Sequence, residues 1–303
     1  MPLYNYSSYL NKTTDLSRGM TMRRFTLKAL SLSLAALCSV SVAHADDLLQ
    51  RIKQKNEIVV ATEARFAPFE SVENGKIVGY GADLMHYVLD ADLPGVKVRQ
   101  LDLPFQGILP GLDTKKFDFV VTSVTVNKAR FEQFAFTVPI AESTVALLKR
   151  ADDAGIKTLA DLNGRVIGSQ AGSGQLAVLQ ALDTKLKAEG QPGLKRIKEY
   201  VGFDEAYADL ANGRLDGVAQ SLSNLGPVMK ARPGVFNTLP EMVGPVTYFG
   251  WVGRKDADSA SLVKLFSDGI ARASKDGTLK TLQEKWFGFT MQLPTDAMPV
   301  PSI

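Results

Sequence analysis

The sequence predicts an α/β fold in which mostly parallel sheets are flanked by helices. Short apolar runs bounded by turn residues alternate with amphipathic stretches from residue 48 to residue 286. Their order, β-α-β-α-β, is written on both sides of a polar break at Ala151-Asp152-Asp153-Ala154-Gly155. The 303 residues, less a targeting segment, are enough for two such units.

In the first unit, Leu48 to Lys55 reads as a short amphipathic helix and Glu57 to Thr62 (EIVVAT) as a buried strand. Gly81 to Leu93 reads as a helix, Val96 to Leu101 as a strand, Phe105 to Leu112 as a helix and Asp118 to Val121 as a strand. Val145 to Lys149 then runs into the polar break. In the second unit, Arg165 to Ser169 is a strand, Gly174 to Lys187 a helix and Lys195 to Val201 a strand. Asp204 to Asn212 is a helix stopped by Gly213, Asp216 to Gln220 a strand, and Leu222 to Ala231 a helix ended by Pro233-Gly234. Val246 to Val252 is a further strand. Two helices follow, Ser259 to Ser274 and Thr278 to Trp286, separated by Asp276-Gly277. The tail from Pro294 to Ile303 holds three prolines and no periodicity, so it reads as irregular.

Residues Met22 to Ala45 read as a secretory signal peptide. Arg23 and Arg24 form its charged start, Leu27 to Val42 its apolar run, and Ala43-His44-Ala45 its cleavage site. Leu37 stands before Cys38 where a lipidation site wants a small residue. Residues 1–21 read as an upstream extension. Residues 1–45 carry five basic side chains and one acidic, so the remaining 258 or so residues hold 30 basic and 31 acidic ones. The charge of +3 thereby becomes about −1, and nucleic-acid binding has no compositional support. Cys38, the only cysteine, leaves with the signal, which excludes a disulfide. His86 is then the one histidine left, which argues against a His-based zinc site or a Ser-His triad. No cofactor or metal is expected. No later segment is long and apolar enough to cross a bilayer.

The run Thr122-Ser123-Val124-Thr125-Val126-Asn127-Lys128-Ala129-Arg130 carries the chemistry. Ser123 and Thr125 share one face of an extended segment, and Arg130 follows five residues later. Two hydroxyl donors plus a planar guanidinium fork suit a carboxylate. A strand end with a surface Arg is the alternative.

Several segments, in order, resemble the periplasmic solute-binding proteins of ABC transporters for polar amino acids, the bacterial extracellular solute-binding protein family 3. They are Ala61-Thr62-Glu63-Ala64-Arg65-Phe66-Ala67-Pro68-Phe69-Glu70, Phe105 to Leu112, and Lys116-Phe117-Asp118 before the hydroxyl strand. Leu159 to Gly168, Asn212 to Asp216 and Asp276 to Gly288 complete the set. The resemblance runs from about Asp47 to Gly288. It implies a type II periplasmic-binding-protein fold: two α/β lobes joined by two crossover strands near Val145–Lys149 and Val246–Val252, closing on a ligand. Lobe 1 would comprise residues 46–146 and 247–290, lobe 2 residues 147–246, and the tail residues 291–303.

Carried over by position, the resemblance implies that Arg130 holds a ligand carboxylate with Thr125 and Ser123. Ser173 and Gly174, opening a helix after Gly172, would cap the same group; an ordinary Gly-rich helix start is the alternative. Phe66 and Phe105 would flank the ligand, or else simply pack in the core. Glu63 would lie on the cleft floor, or be a solvated strand end. Trp251 and Trp286 read as structural, and His86 as a surface or packing residue.

Two departures stand out. The family's ammonium-binding Asp is Ser221 here, and the first acid of its Gly-aromatic-Asp-x-Asp motif is Gly81, while Asp83 is kept. A buried ammonium without a carboxylate is costly by several kcal/mol. The resemblance with these departures predicts that dicationic ligands are disfavoured. A neutral or acidic amino acid would need Glu63, Gln220 and Asn224 to accept its ammonium, and a carboxylate lacking an α-amino group is the other possibility. The expected partner is an inner-membrane permease, and the expected state a periplasmic monomer. Two other functions compete. Some relatives dehydrate prephenate-like acids using a Glu just after the second lobe's Gly-rich turn, where this chain has Gln175. A sensory binding protein that presents its ligand to a membrane receptor is the other.

Overall fold

The computed structural model describes residues 47–302; the signal segment and Cys38 lie outside them. In chain order the elements are α1 (Leu48–Lys55), β1 (Glu57–Thr62), β2 (Arg65–Phe66), β3 (Glu70–Glu73), β4 (Lys76–Val78), α2 (Tyr80–Asp92), β5 (Lys97–Asp102) and α3 (Phe105–Asp113). Next come β6 (Phe119–Thr125), α4 (Lys128–Gln133), β7 (Phe134–Phe136), β8 (Ala141–Glu142) and β9 (Val145–Arg150). After the 3-10 turn Leu159–Leu162 follow β10 (Val166–Gln170), α5 (Gly174–Ala188), β11 (Arg196–Tyr200), α6 (Phe203–Ala211), β12 (Gly217–Ser221) and α7 (Leu222–Ala231). The last elements are β13 (Phe236–Val243), β14 (Tyr248–Arg254), α8 (Ala260–Lys275) and α9 (Thr278–Phe287).

Two mixed sheets organise these elements. The first runs β5-β1-β6-β14-β7, with β8 also on β14; its β5-β1-β6 part is parallel and β14 pairs antiparallel. The second runs β11-β10-β12-β9-β13, parallel in β11-β10-β12 and antiparallel beyond. Each parallel part is the predicted β-α-β-α-β unit. Each antiparallel part contains a strand that has just crossed from the other sheet.

Burial on both faces follows from strand periodicity. Along β1 and β6, Ile58, Val60, Phe119 and Val121 face the core that contains α2 and α8 residues. Their neighbours Ala61, Val120 and Val124 face the core built with α3. In the second sheet Val145, Leu147 and Ala219 pack with Val178 and Leu179 of α5. Ala146, Leu148 and Val218 face Phe203, Ala206 and Leu225 from α6 and α7.

Three features depart from the sequence reading. The strand predicted to end at Val121 runs on to Thr125, because Val124 and Thr125 pair with Gly250 and Phe249 of β14. A small antiparallel sheet β2-β3-β4 occupies residues for which the sequence reading names no element. Asn74-Gly75, both at positive φ, makes its two-residue turn between paired Glu73 and Lys76, a local signal that was present in the sequence. Strand β13 carries Pro240 and lies at the sheet edge, the position where a strand tolerates the missing N–H.

The crossings are also shifted. The segments predicted to cross are themselves sheet strands, β9 and most of β14. The chain leaves the first sheet after Glu142 and joins the second at Val145; it returns over Gly244 to Thr247. These two passages are bonded to each other. The Ser143 N–H donates to the Thr247 carbonyl at 2.8 Å, and the two hydroxyls lie 2.7 Å apart. Beyond α9 the described residues of the tail form no helix or strand, as predicted, yet Met298 is buried and its methyl group lies against Gly250.

Trp251 is fully buried in β14 and meets Phe266 of α8 edge-on, with ring centroids 5.6 Å apart. That agrees with a structural role. Urea denaturation of Trp251→Ala is expected to show a loss of about 3–5 kcal/mol from the cavity left behind.

Candidate functional site

Polar side chains collect at the C-terminal ends of β1, β6, β10 and β12, the end at which α/β sheets hold ligands. On the first sheet, every residue of β6 is buried, including Ser123 and Thr125. Thr122 accepts from the Glu63 N–H at 3.3 Å and donates to Glu70 Oε2 at 3.4 Å. Glu63 itself is buried, not a solvated strand end.

Asn127 caps α4 by accepting from the Arg130 N–H at 2.9 Å, and this turns the Arg130 side chain back along β6. The Arg130 guanidinium donates to the Thr125 carbonyl at 2.9 Å and to the Gly172 carbonyl at 2.6 Å. It lies 5.5 Å from the centroid of the Phe105 ring. Arg130 forms no ion pair among the described residues. Burial draws its pKa down to about 10, so it remains a cation at neutral pH.

The second sheet supplies the opposite wall. Gly172, at φ +71°, turns the chain into α5. Ser173 caps that helix by accepting from the Leu176 N–H at 3.0 Å. A Cβ on Gly174 would stand 2.4 Å from Thr125, so glycine is what lets the α5 N-terminus abut β6. Gln175 donates to Ser221 Oγ at 2.7 Å, and Ser221 Oγ in turn reaches the Ser143 carbonyl at 3.3 Å. Gln220 donates to the Tyr207 hydroxyl at 3.3 Å.

Polar contacts join the two walls. Gln170 Nε2 donates to Glu63 Oε1 through a short bond. Gln106 donates to the Ala171 carbonyl at 3.0 Å, and Asn224 Nδ2 to the Ala67 carbonyl at 2.9 Å. Three buried polar atoms here have no partner: Ser123 Oγ, Asn224 Oδ1 and Glu70 Oε1. An unpaired buried group costs about 1–3 kcal/mol, so such a cluster marks a place designed for something other than stability.

Of the residues singled out from the sequence, the structure brings Arg130, Thr125, Phe105, Ser173 and Gly174 to one place. Glu63, Ser221, Gln220 and Asn224 are buried at the same strand ends. Phe66 is buried in an aromatic cluster, 5.7 Å from Phe69 and 5.9 Å from Phe203 and from Phe249, which also satisfies a packing role. Trp286 and Lys285 both bond Asp83 at 2.7 Å, so this acid serves α2–α9 packing. His86 is exposed. Two residues were missed. Gln170 ends β10 two residues before Gly172, so its place at a strand terminus was the available signal. Glu70 was seen only as part of a motif; a Cβ on Gly81 would lie 2.1 Å from its Oε1. The Glu70 carboxyl thus fills the space where residue 81 would carry a side chain. Among the described residues no cluster of His, Cys, Asp and Glu is arranged to hold a metal, and no helix is long and apolar enough to cross a membrane.

Residues 58–289 match the family described as bacterial extracellular solute-binding proteins, family 3. The chain is 28% identical over 269 residues to the L-cystine-binding protein TcyJ of Escherichia coli K12, covering 88% of this chain and 96% of that one. It is 27% identical over 242 residues to the ABC transporter arginine-binding protein 1 of the same strain, covering 76% and 90%. Among solved structures it is similar to an ancestral arginine-binding protein bound to arginine, with a TM-score of 0.67 and 30% identity, covering 77% of this chain and 99% of that one.

Burial raises the Glu63 pKa to about 7, with the Gln170 hydrogen bond opposing the shift in part. Burial and the neighbouring Glu63 raise Glu70 as well. A carboxyl that holds its proton more tightly when folded stabilises the protein fully below its unfolded pKa of 4.5, and that contribution is lost as pH rises through about 7. Glu63 contributes at most about 3 kcal/mol of this kind. Melting curves of the ligand-free protein from pH 5 to pH 8 are expected to fall less steeply for Glu63→Gln than for the parent.

Proposed function

The chain belongs to family 3 of the bacterial extracellular solute-binding proteins, and on that premise we propose that it captures a small amino acid or related carboxylate and delivers it to the permease of an ABC importer. The relatives named above are amino-acid-binding proteins, not enzymes. The observation that carries the reading is Arg130. It is a cation with no acidic partner among the described residues, and its two terminal nitrogens already donate to one carbonyl from each wall. A ligand carboxylate replaces neutral acceptors with a charged one, which roughly doubles the strength of each hydrogen bond. Ser123 Oγ, buried without a partner on the neighbouring strand, adds a donor. The Gly174 amide at the α5 N-terminus adds another from the second wall, while the Ser173 N–H donates to the Gln170 carbonyl at 3.2 Å.

One carboxylate gripped from both walls favours closure, because each wall alone makes only half of the contacts. The two sheets with their helices act as lobes, and the bonded passages at Ser143 and Thr247 act as their hinge. Residues 22–45 direct the chain to the periplasm, where it works as a monomer beside the inner-membrane permease.

The ammonium is held by Glu63, with Gln220 and Asn224 beside it. Ser221 stands where the family's acid would be, and its hydroxyl is engaged by Gln175 and the Ser143 carbonyl. Gln175 therefore has a structural partner where dehydratase-like relatives keep an acid, which favours binding over catalysis. Glu63 is the buried carboxylate that bonds across to the second wall among the described residues, so a second cation on the ligand would have no buried carboxylate of its own. Ligand choice in this family follows such local groups, not the fold.

A thermal-shift screen of residues 46–303 against amino acids and non-amino carboxylates is expected to single out neutral or acidic amino acids over arginine and lysine. Tight arginine binding in calorimetry would overturn the ammonium assignment. Arg130→Gln is expected to weaken binding of the ligand found by at least about a hundredfold, consistent with losing a charged bidentate contact. Because the ligand ammonium favours ionised Glu63, binding releases a proton near neutrality. Affinity should rise about tenfold from pH 6 to pH 8 and then level off. A pH-independent dissociation constant would remove Glu63 from the site.

A further inference from the structure

Residues 290–302 lie past residue 289, where the match to the family ends, and form no helix or strand. They are docked all the same. Met291 and Leu293 pack against the core that contains α2 and α8 residues, and Met298 is buried with its methyl group against Gly250 of β14. Pro294, Pro299 and Pro301 each fix one φ, so this irregular segment loses less chain entropy on docking.

The tail lies beside both passages between the sheets. Among the described residues strand β8 is bonded only to β14, and Glu142 is its last residue before the first passage. The Glu142 N–H donates to Met291 Sδ at 3.4 Å, and the Met291 N–H donates to Gln283 Oε1 of α9 at 2.8 Å. The Glu142 carbonyl accepts from Ser223 Oγ of α7, on the second wall, at 3.2 Å. In an extended strand the N–H and C=O of one residue point to the same side. The tail and the second wall therefore meet on one edge of β8. At the return passage, Pro299 and Pro301 line one small gap with Val126, Val246 and Tyr248. Val126 directly precedes Asn127, the cap of the helix that carries Arg130.

Resting on the two-walled closure proposed above, we infer that residues 290–302 are a strap on the hinge and that Met291 is a positioning residue for ligand capture. Met291 travels with the first sheet and Ser223 with the second. When the walls part, the Ser223 bond is lost and the Met291 bond stays. The strap thus holds the Glu142 peptide with its carbonyl ready for Ser223. Preorganised in this way, the arrangement with the walls together costs less to form, and a ligand that needs it binds more tightly by the gain in its population. Glu142 and Met291 are not among the residues assigned to the ligand, so the strap sets affinity and not ligand choice.

Residues 46–303 contain no cysteine, so spin labels on Asp113→Cys and Glu205→Cys report the separation of the walls. Both positions are exposed, one on α3 and one on α6. Electron–electron distance measurements follow the short-distance fraction as an equimolar pool of the protein amino acids is added. The chain 46–290 is expected to need at least about threefold more of the pool than 46–303 to reach the same fraction. Met291→Leu keeps the apolar volume and loses the sulfur acceptor. It should shift the midpoint in the same direction by about twofold, with an unchanged melting temperature. A shift in 46–290 that Met291→Leu does not share would overturn the Glu142 contact as its cause. Equal midpoints for all three chains, with the distance still shortening, would overturn the strap and leave the closure standing. A distance that the amino acids shorten in none of the chains removes both.

Discussion

The site depends on a single constraint: the chain passes between its two sheets twice, and the two passages are tied together. Ser143 and Thr247 are bonded through backbone and side chain alike, although they stand far apart in sequence. The Ser143 carbonyl also accepts from Ser221 and Thr247. Two passages tied this way hold the register of the two walls, and on the function proposed above they are where the walls would hinge. Without it, Arg130 on one sheet and Gly172 on the other would have no reason to meet.

On that frame sit two charged groups in contrasting environments. Arg130 is desolvated but keeps its charge because its guanidinium is a strong base whose N–H groups find carbonyls. Glu63 is desolvated and sits near its titration point, because its one strong donor, Gln170, only partly offsets burial. Both bond to the same short turn of the second wall, Gln170 to Gly172, which brings the fixed cation and the titrating carboxyl to one place. On the function proposed above, fixed charge, tunable charge and a nearby helix N-terminus together suit a zwitterion.

The departures from the family pattern are compensated locally. Where a side chain is missing at Gly81, the Glu70 carboxyl occupies the space. Where an acid is missing at Ser221, the smaller hydroxyl is drawn into bonds with Gln175 and the hinge carbonyl. Neither change leaves a hole, and both lower the count of negative charges open to a ligand. The cluster of unpaired atoms that remains is polar and sits at the strand ends, as expected where binding, not packing, has set the side chains.

The sequence by itself determined the β-α-β-α-β order, most helix and strand limits, and the residue types of the proposed carboxylate grip. Those follow from short-range rules: apolar period, Gly and Pro stops, hydroxyls two apart on an extended strand. Helix α7 and strand β1 were legible to the residue. What it could not determine was any feature whose partner lies far along the chain. Strand β6 continues to Thr125 because β14 pairs with it, and no local pattern announces a neighbour more than a hundred residues away. Gln170 meets Glu63, and Asn224 meets Ala67, for the same reason. The tertiary structure also decided that Glu63 is buried, which converts an ordinary strand-end acid into one that titrates near neutrality, since desolvation is a property of the surroundings and not of the residue.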